Sequence, residues 1–432
     1  IIDKYMLIFI SLIPILLAIS IFMADLFASI AGLILIYIFL KKNIIFFRSI
    51  KKEIYLMIIF YSIILISLLL TDYFKISFLP SFFYFRYFLV SLSIFYLLKK
   101  YDFLMSFFLY VVSITILFVT FDSIFQFFNG KNLFGYKAPG LQNNNPDTLI
   151  YLTGFFDQEK KLGSYLIRFL PLILGLIYFS DKIKYINLNK YILVLIGIII
   201  FFASERTSLF LYLIFLASYI LISKQKLIII IYGLLILSII VIFNPLLKNK
   251  YVNVTLEQMG IVKSTHYKTH KISFISEEHE NLIYGSIIVF KNNPLFGSGV
   301  KTFFAECNKV KKIHHYKDLP AHRNNNRNRV ECSTHPHSTY FQLLADVGIF
   351  GFMVIFYFLC YLILTFYKIL FRLKKFDKYF LSYYYINIGV LINLFPLIPS
   401  GSFFNNWISL MISYIFGFWL FLKTKINQKK YT

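Results

Sequence analysis

Hydrophobic positions in this chain come in long uninterrupted runs rather than in alternating or amphipathic patterns. Runs of 16 to 20 apolar residues recur along most of the length. Each is close to the roughly 20 residues that cross a bilayer as a helix. The runs predict twelve spans, at 6–23, 25–40, 54–71, 79–98, 103–121, 163–180, 191–204, 206–223, 227–243, 340–367, 384–398 and 404–422. The first two meet so tightly at Asp25 that they read as one hairpin. The expected fold is an all-α polytopic integral membrane protein of about 12 helices, with one large loop between spans nine and ten. Three regions follow: residues 1–243 with nine helices and a loop near 122–162, an insert at 244–339, and residues 340–432 with three helices and a basic tail. Met6–Met23 is long enough to remain as a span, so no cleaved signal peptide is expected.

Composition agrees. Of 432 residues, 59% are hydrophobic, 20% aromatic and 15% charged. A soluble globular domain carries about 25% charged residues. This excludes a soluble enzyme, a disordered chain and a small disulfide scaffold. The net charge is +24, but only eight of the 44 basic residues are arginine. With Ile, Asn, Phe and Tyr also abundant, much of the lysine excess resembles coding bias; the remainder fits anionic lipids or an anionic substrate. Nothing points to nucleic acid.

The lysines orient the chain. Basic segments follow every even-numbered span: Lys41 to Lys52, Lys99–Lys100, Lys182 to Lys190, Lys224 and Lys226, Lys368 to Lys378, and Lys423 to Lys430. The positive-inside rule assigns these and both termini to the cytoplasm. Loop 122–162 and the insert then face the other side of the membrane. All eight histidines fall in the insert, at 266, 270, 279, 314, 315, 322, 335 and 337. Cys307 and Cys332 lie there too, while Cys360 is inside span ten. Disulfides persist outside the cytoplasm. A Cys307–Cys332 bridge is therefore expected, closing roughly 25 residues for about 3 kcal/mol in the chain-entropy account.

Charge at membrane depth points to the same face. Arg86 is expected about two turns into span four, and Arg168 one to two turns into span six. Glu205 and Arg206 sit at the turn between spans seven and eight. Arg323, Arg327 and Arg329 lie in the insert. Arginine forks suit phosphate oxygens, although arginines near span ends also snorkel to headgroups. His335-Pro336-His337, just before span ten, fits a metal ligand pair, a general base or a helix cap. No acidic or cysteine cluster with metal spacing accompanies it, so no metal and no cofactor are expected.

Several segments together resemble the O-antigen ligase and O-antigen polymerase superfamily. Its signature is a histidine, then Asn, Ser or Gln, nine residues, and Gly-x-x-Gly; His337-Ser338, nine residues and Gly348-x-x-Gly351 fit without a gap. Asn293-Pro294-Leu295-Phe296-Gly297-Ser298-Gly299-Val300-Lys301-Thr302-Phe303 resembles the family's N-P-L-x-G-x-G-x-x-x-F segment. Gly154 to Tyr165, with Glu159, is similar to an acidic entry into a periplasm-facing span, and Ser204-Glu205-Arg206-Thr207 to a Ser-x-Arg turn. The resemblance covers roughly residues 120–420. In one departure, Glu278-His279-Glu280 stands where the family has an arginine about 15 residues before Asn-Pro.

The resemblance implies transfer of a glycan from an undecaprenyl pyrophosphate donor to an acceptor hydroxyl at the periplasmic face. The acceptor would be a lipid A core or a second lipid-linked glycan. His337 would be the base, with His335, Ser338, Glu159, Gly348 and Gly351 supporting it. Arg206, Arg168, Arg86 and His279 would bind pyrophosphate, and membrane lipids would be partners. The alternative is a flippase or transporter of lipid-linked oligosaccharide. Against it, the spans below Arg206 carry almost no charge.

Overall fold

A computed structural model describes residues 2–41, 45–139, 151–180, 183–222, 238, 245–258, 261, 276–313, 332–372, 378–396 and 398–429. Its helices are α1 (Ile2–Ile19), α2 (Ile21–Lys41), α3 (Lys51–Leu70), α4 (Phe74–Phe82), α5 (Phe85–Lys100), α6 (Leu104–Asn129) and α7 (Leu162–Ser180). They continue as α8 (Ile183–Phe202), α9 (Arg206–Ile222), α10 (Glu277–Asn292), α11 (Phe303–Ile313), α12 (Thr339–Arg372), α13 (Lys378–Asn393) and α14 (Asn406–Lys429). Short helical turns occupy 245–258. Among the described residues the extended structure is an isolated antiparallel bridge, Lys131 to Lys137.

Among the described residues, eight helical stretches are long and apolar enough to cross a membrane: α1, α2, Phe46–Leu70, Phe74–Lys100, α6, α7, Thr339–Phe371 and Asn406–Gln428. The apolar stretches Tyr191–Phe202 and Arg206–Ile222 are shorter. The span expected at 227–243 lies outside the described residues. The protein is thus an all-α, multi-pass membrane protein. Helices α7 and α14 form the centre, where 83% of each best window is buried, against 28% for Thr339–Phe371. Phe22, Leu40, Leu69 and Phe371 lie exposed on peripheral helices, as suits a surface that meets lipid tails.

Close helix contacts rest on small residues, because hydrocarbon gives apolar side chains no reason to leave it. Ala24, Ala28, Ala31 and Gly32 put a narrow buried stripe on α2, and Gly32 abuts Leu89 of α5. Freed backbone carbonyls find side-chain donors. Trp407 Nε1 donates to the Leu17 carbonyl in the last turn of α1 (3.0 Å). The Tyr165 hydroxyl donates to the Pro14 carbonyl (2.6 Å). Asn387 links α12, α13 and α14 by donating to the Leu362 carbonyl (3.1 Å) and accepting from Trp419 Nε1 (2.9 Å).

Two expected boundaries move. The first hairpin turns at Ser20, not Asp25; Asp25 lies inside α2. Span four is interrupted at 83–84, so Arg86 stands in the first turn of α5 rather than two turns deep. Pro80 within α4 and the turn after it account for the interruption. The two shifts bring Asp25 and Arg86 together. Arg86 Nε meets Asp25 Oδ1 at 2.8 Å and Nη2 meets Oδ2 at 3.1 Å.

The two ends of the bundle carry different polar groups. One joins Asp3 to Lys100, Glu53 to Lys423 and Asp102 to Lys425. The other holds the Asp25–Arg86 pair and Asn406, which donates to Asp25 Oδ2 (3.2 Å). Helices α10 and α11 lie at this second end, over the start of α12. Leu282, Val289, Phe303, Cys307 and Ala345 form a small core of their own there. Cys307 and Cys332 are disulfide-bonded, with Cα atoms 5.7 Å apart. Lys309 pairs with Asp72 (2.7 Å), fastening α11 to the turn between α3 and α4.

The Asp25–Arg86 pair is largely withdrawn from solvent, at 21% and 15% side-chain exposure respectively. Removing one partner strands the other charge. Asp25→Ala is expected to cost about 2–3 kcal/mol, and Asp25→Ala with Arg86→Met less than Asp25→Ala alone. Thermal unfolding in detergent checks this; additive losses would show that the pair contributes nothing as a pair.

Candidate functional site at the outer end of α12

Helix α12 runs from Thr339 to Val347 and then breaks. Gly348 adopts φ +68°, ψ −167°, and helical structure resumes at Ile349. A break frees carbonyls before it and N–H groups after it, and each needs a partner at membrane depth. Residues 294–299 supply them. Ser298 N donates to Ala345 O (2.8 Å) and Gly299 N to Asp346 O (3.0 Å). Ile349 N donates to Pro294 O (2.9 Å) and Phe350 N to Leu295 O (3.4 Å). Side chain has no room at the junction. A Cβ on Gly348 would sit 2.3 Å from Leu295 O, and one on Gly297 2.4 Å from the Asp346 carbonyl carbon. The two glycine-bearing segments, some fifty residues apart in sequence, are therefore one backbone unit.

Asp346 anchors that unit. It is fully buried. Its Oδ2 accepts from Gln342 Nε2 (3.0 Å) and from the Lys301 backbone N–H (3.2 Å). Its carbonyl also accepts the Ser67 hydroxyl of α3 (2.9 Å). Thr71 donates to the Ser298 carbonyl. Helix α3, the glycine loop and α12 are thereby locked together.

The histidines sit just before this unit. Residues 332–338 enter α12 without helical structure, and His337 has φ +53°. Its carbonyl accepts the Ser400 N–H (2.8 Å). Buried Ser338 starts α12 by accepting the Gln342 N–H (2.9 Å). The His335 and His337 rings are 4.0 Å apart by centroid, and His279 of α10 stands 5.7 Å from His337. Ser276 Oγ lies 2.5 Å from His279 Nδ1. Burial lowers the His337 pKa below the usual imidazole value. Burial and neighbouring His337 push His335 down to about 4. Both rings are therefore neutral at pH 7.

Two cavities open beside the pair. His337 lines a narrow one with His279, Ile283, Phe341, Ile398 and Pro399. His335 lines a wide one of about 850 Å³ with Asp25, Arg86, Lys301, Asn405 and Asn406. Segment 393–403 runs between them as a common support. It takes Tyr340 Oη at Leu394 O (2.7 Å), pairs Ser400 with Thr339 (3.0 Å), and gives the Phe403 N–H to Gln342 (2.8 Å).

The arginines fall in three places. Arg86 lines the wide cavity in its pair with Asp25. Arg168 is 6% exposed and donates from Nη1 to Asn393 Oδ1 (2.8 Å), at the start of that supporting segment. Arg206 is exposed and donates to Thr255 (3.2 Å) and Gln258 (2.7 Å) of the insert. Glu159 is exposed in an ion pair with Lys161. His266, His270, His314, His315, His322, Arg323, Arg327 and Arg329 lie outside the described residues. Among the described residues, no group of three His, Cys, Asp or Glu side chains forms a metal cluster.

Sequence reasoning missed several site residues. Asp346 lay inside a quoted motif without a role; an acid in an apolar run was its signal. Glu205 accepts the N–H groups of Gly163 (2.8 Å) and Ser164 (3.0 Å), capping α7, and burial pushes its carboxyl up to about 7. Ser400 and Asn393 left no signal, because span eleven was drawn to 398 whereas α13 ends at Asn393.

Comparison with known proteins bears on this unit. Residues 191–356 match the family model Wzy_C, described as O-antigen ligase. The match takes in Arg206, His279, the glycine loop, His337 and Gly348–Gly351, and leaves out Arg86 and Arg168. No curated protein matches the chain.

Gly348→Ala is expected to cost more than about 3 kcal/mol, because it combines left-handed strain with a clash against backbone. Gly351→Ala meets the side chains of Val347 and Ile63 rather than backbone and is expected to cost less. Melting temperatures of the two variants check the order; equal values would remove the junction from the argument.

Proposed function

Taking the O-antigen ligase domain as premise, we propose that this protein transfers a glycan from an undecaprenyl pyrophosphate donor to an acceptor hydroxyl at the periplasmic face of a bacterial inner membrane. The observation that carries the reading is the junction at Gly348: the two signature segments of the O-antigen ligase and polymerase resemblance meet there, backbone to backbone, directly beneath the histidine pair. The acceptor is a lipid A core or another lipid-linked glycan.

In this reading His337 is the general base. A base must be unprotonated to accept the acceptor's proton, and burial keeps its imidazole neutral at working pH. The carbonyl contact to Ser400 and the fixed start of α12 hold the ring in place. His335 stands between His337 and the wide cavity, and is too weak a base near neutral pH to compete. A lipid pyrophosphate leaves readily once its growing charge is met by cations, so transfer needs no metal. Arg206 and Arg168 are arginines of this face without an acid in direct contact among the described residues. Arg168 also reaches the 393–403 segment that supports His337.

Support for transfer rather than lipid flipping comes from the distribution of charge. The ionised groups gather at the two ends of the bundle, and no file of them leads through it among the described residues.

His337→Ala is expected to lower transfer about 10²–10⁴-fold with insertion intact, and His335→Ala to be milder. The pH profile carries the sign of the burial effect. Protonation removes the base, so activity is lost as pH falls through the His337 pKa. That loss is expected below pH 6.5, the ordinary imidazole value. Transfer assays with purified protein and lipid-linked donor test both. Parent-like transfer by His337→Ala would remove it from the mechanism, and a reversed order would move the base to His335. Chelator-sensitive transfer restored by one divalent ion would overturn metal independence.

A further inference from the structure

Residue 301 is a lysine in a backbone conformation that suits glycine or asparagine, with φ +62°. The fold holds it there from both sides. Its N–H donates to buried Asp346, and the Thr302 hydroxyl closes the turn on Gly299 O (2.7 Å). Strain retained at one residue is a pointer to what its side chain does.

That side chain lines the 850 Å³ cavity with Asp25, Arg86, His335, Asn405 and Asn406. Arg86 cannot supply a free positive charge there. Its guanidinium is engaged by both Asp25 oxygens, by the Phe83 carbonyl (2.7 Å) and by the Tyr87 hydroxyl (2.6 Å). His335 is neutral. Among the described residues the Lys301 ammonium meets no carboxylate in an ion pair. With Asp25 and Arg86 cancelling, the cavity keeps one net positive charge, that of Lys301. Thr334, Ser402, Asn405 and Asn406 bring hydroxyl and amide groups to the same cavity, whose remaining wall is partly apolar. One ammonium among neutral donors is a setting for phosphate oxygens.

We propose that Lys301 is a phosphate-binding residue of the transfer site, and that the cavity it lines receives the pyrophosphate of a lipid-linked substrate. This rests on the transfer reading above. The same chemistry fits a phospholipid headgroup, and the test separates the two sources.

The test is binding, not turnover. Full-length protein in phosphatidylcholine nanodiscs is titrated with farnesyl pyrophosphate, in parent, Lys301→Gly and Lys301→Arg forms. Lys301→Gly removes the charge and also relieves the backbone strain, so weakened binding does not reflect failed folding; its melting temperature should be no lower than the parent's. Expected are a loss of affinity of about 10- to 100-fold in Lys301→Gly, the value of one charge-assisted contact, and substantial retention in Lys301→Arg. Repeating the titration in discs containing phosphatidylglycerol identifies the source. Unchanged affinity marks the lipid pyrophosphate, and Lys301-dependent competition marks the headgroup; either supports a phosphate site. Parent-like affinity in Lys301→Gly overturns the inference. Loss of transfer by His337→Ala alongside that result would leave the catalytic reading standing, whereas full transfer by His337→Ala would sink that reading without altering the binding measurement.

Discussion

The end of this protein that carries α10 and α11 depends on a helix that is not allowed to finish. At Gly348 the backbone of α12 leaves the helical region, and the carbonyls and N–H groups it exposes must be satisfied in a setting poor in water. Residues 294–299 satisfy them with main-chain atoms. Everything nearby takes its position from that exchange. The glycine loop cannot shift without unsatisfying α12, and α12 cannot straighten without driving Gly348 into the loop. Asp346, Ser67 and Thr71 extend the lock to α3.

What the lock positions is a short stretch of irregular chain, residues 332–338. It is fixed behind by the Cys307–Cys332 bridge and ahead by the start of α12. From the side it is held by the chain that follows α13, where the Ser400 N–H meets the His337 carbonyl. Two histidines on this stretch point their chemistry at different spaces, His337 toward His279 and His335 toward the wide cavity. Half-buried and close together, both favour the neutral ring, which accepts protons. Positive charge on this face must come from elsewhere.

The cations are distributed rather than clustered. Arg86 is neutralised by Asp25 and stabilises the meeting of α2 and α5. Arg168 braces the 393–403 segment through Asn393, and Arg206 reaches to the insert. Lys301 alone projects an unmatched charge into the wide cavity, among the described residues. An arginine near a membrane surface thus has at least three different employments within one protein, and its sequence position does not distinguish them. What distinguishes them is whether a carboxylate lies within reach.

The sequence by itself determined the class of fold. Uninterrupted apolar runs have one stable outcome in a bilayer, the helix, and that argument is local. The runs also placed a span over most of the long described helices, but they missed α10 and α11 and put ends of α6, α8 and α13 five to eight residues away. The histidine and glycine signatures were legible as patterns and suggested the family over roughly residues 120–420, of which the ligase model matches 191–356. The tertiary structure decided the rest. That Asn293–Gly299 and Gly348 are one junction rests on hydrogen bonds between segments remote in sequence, to which hydropathy is blind. The pairing of Arg86 with Asp25 depended on a turn at Ser20 and a break at 83–84, both a few residues from where apolar length alone put them. The roles of Asp346 and Lys301 came from burial and backbone angle, which exist only after the chain has packed.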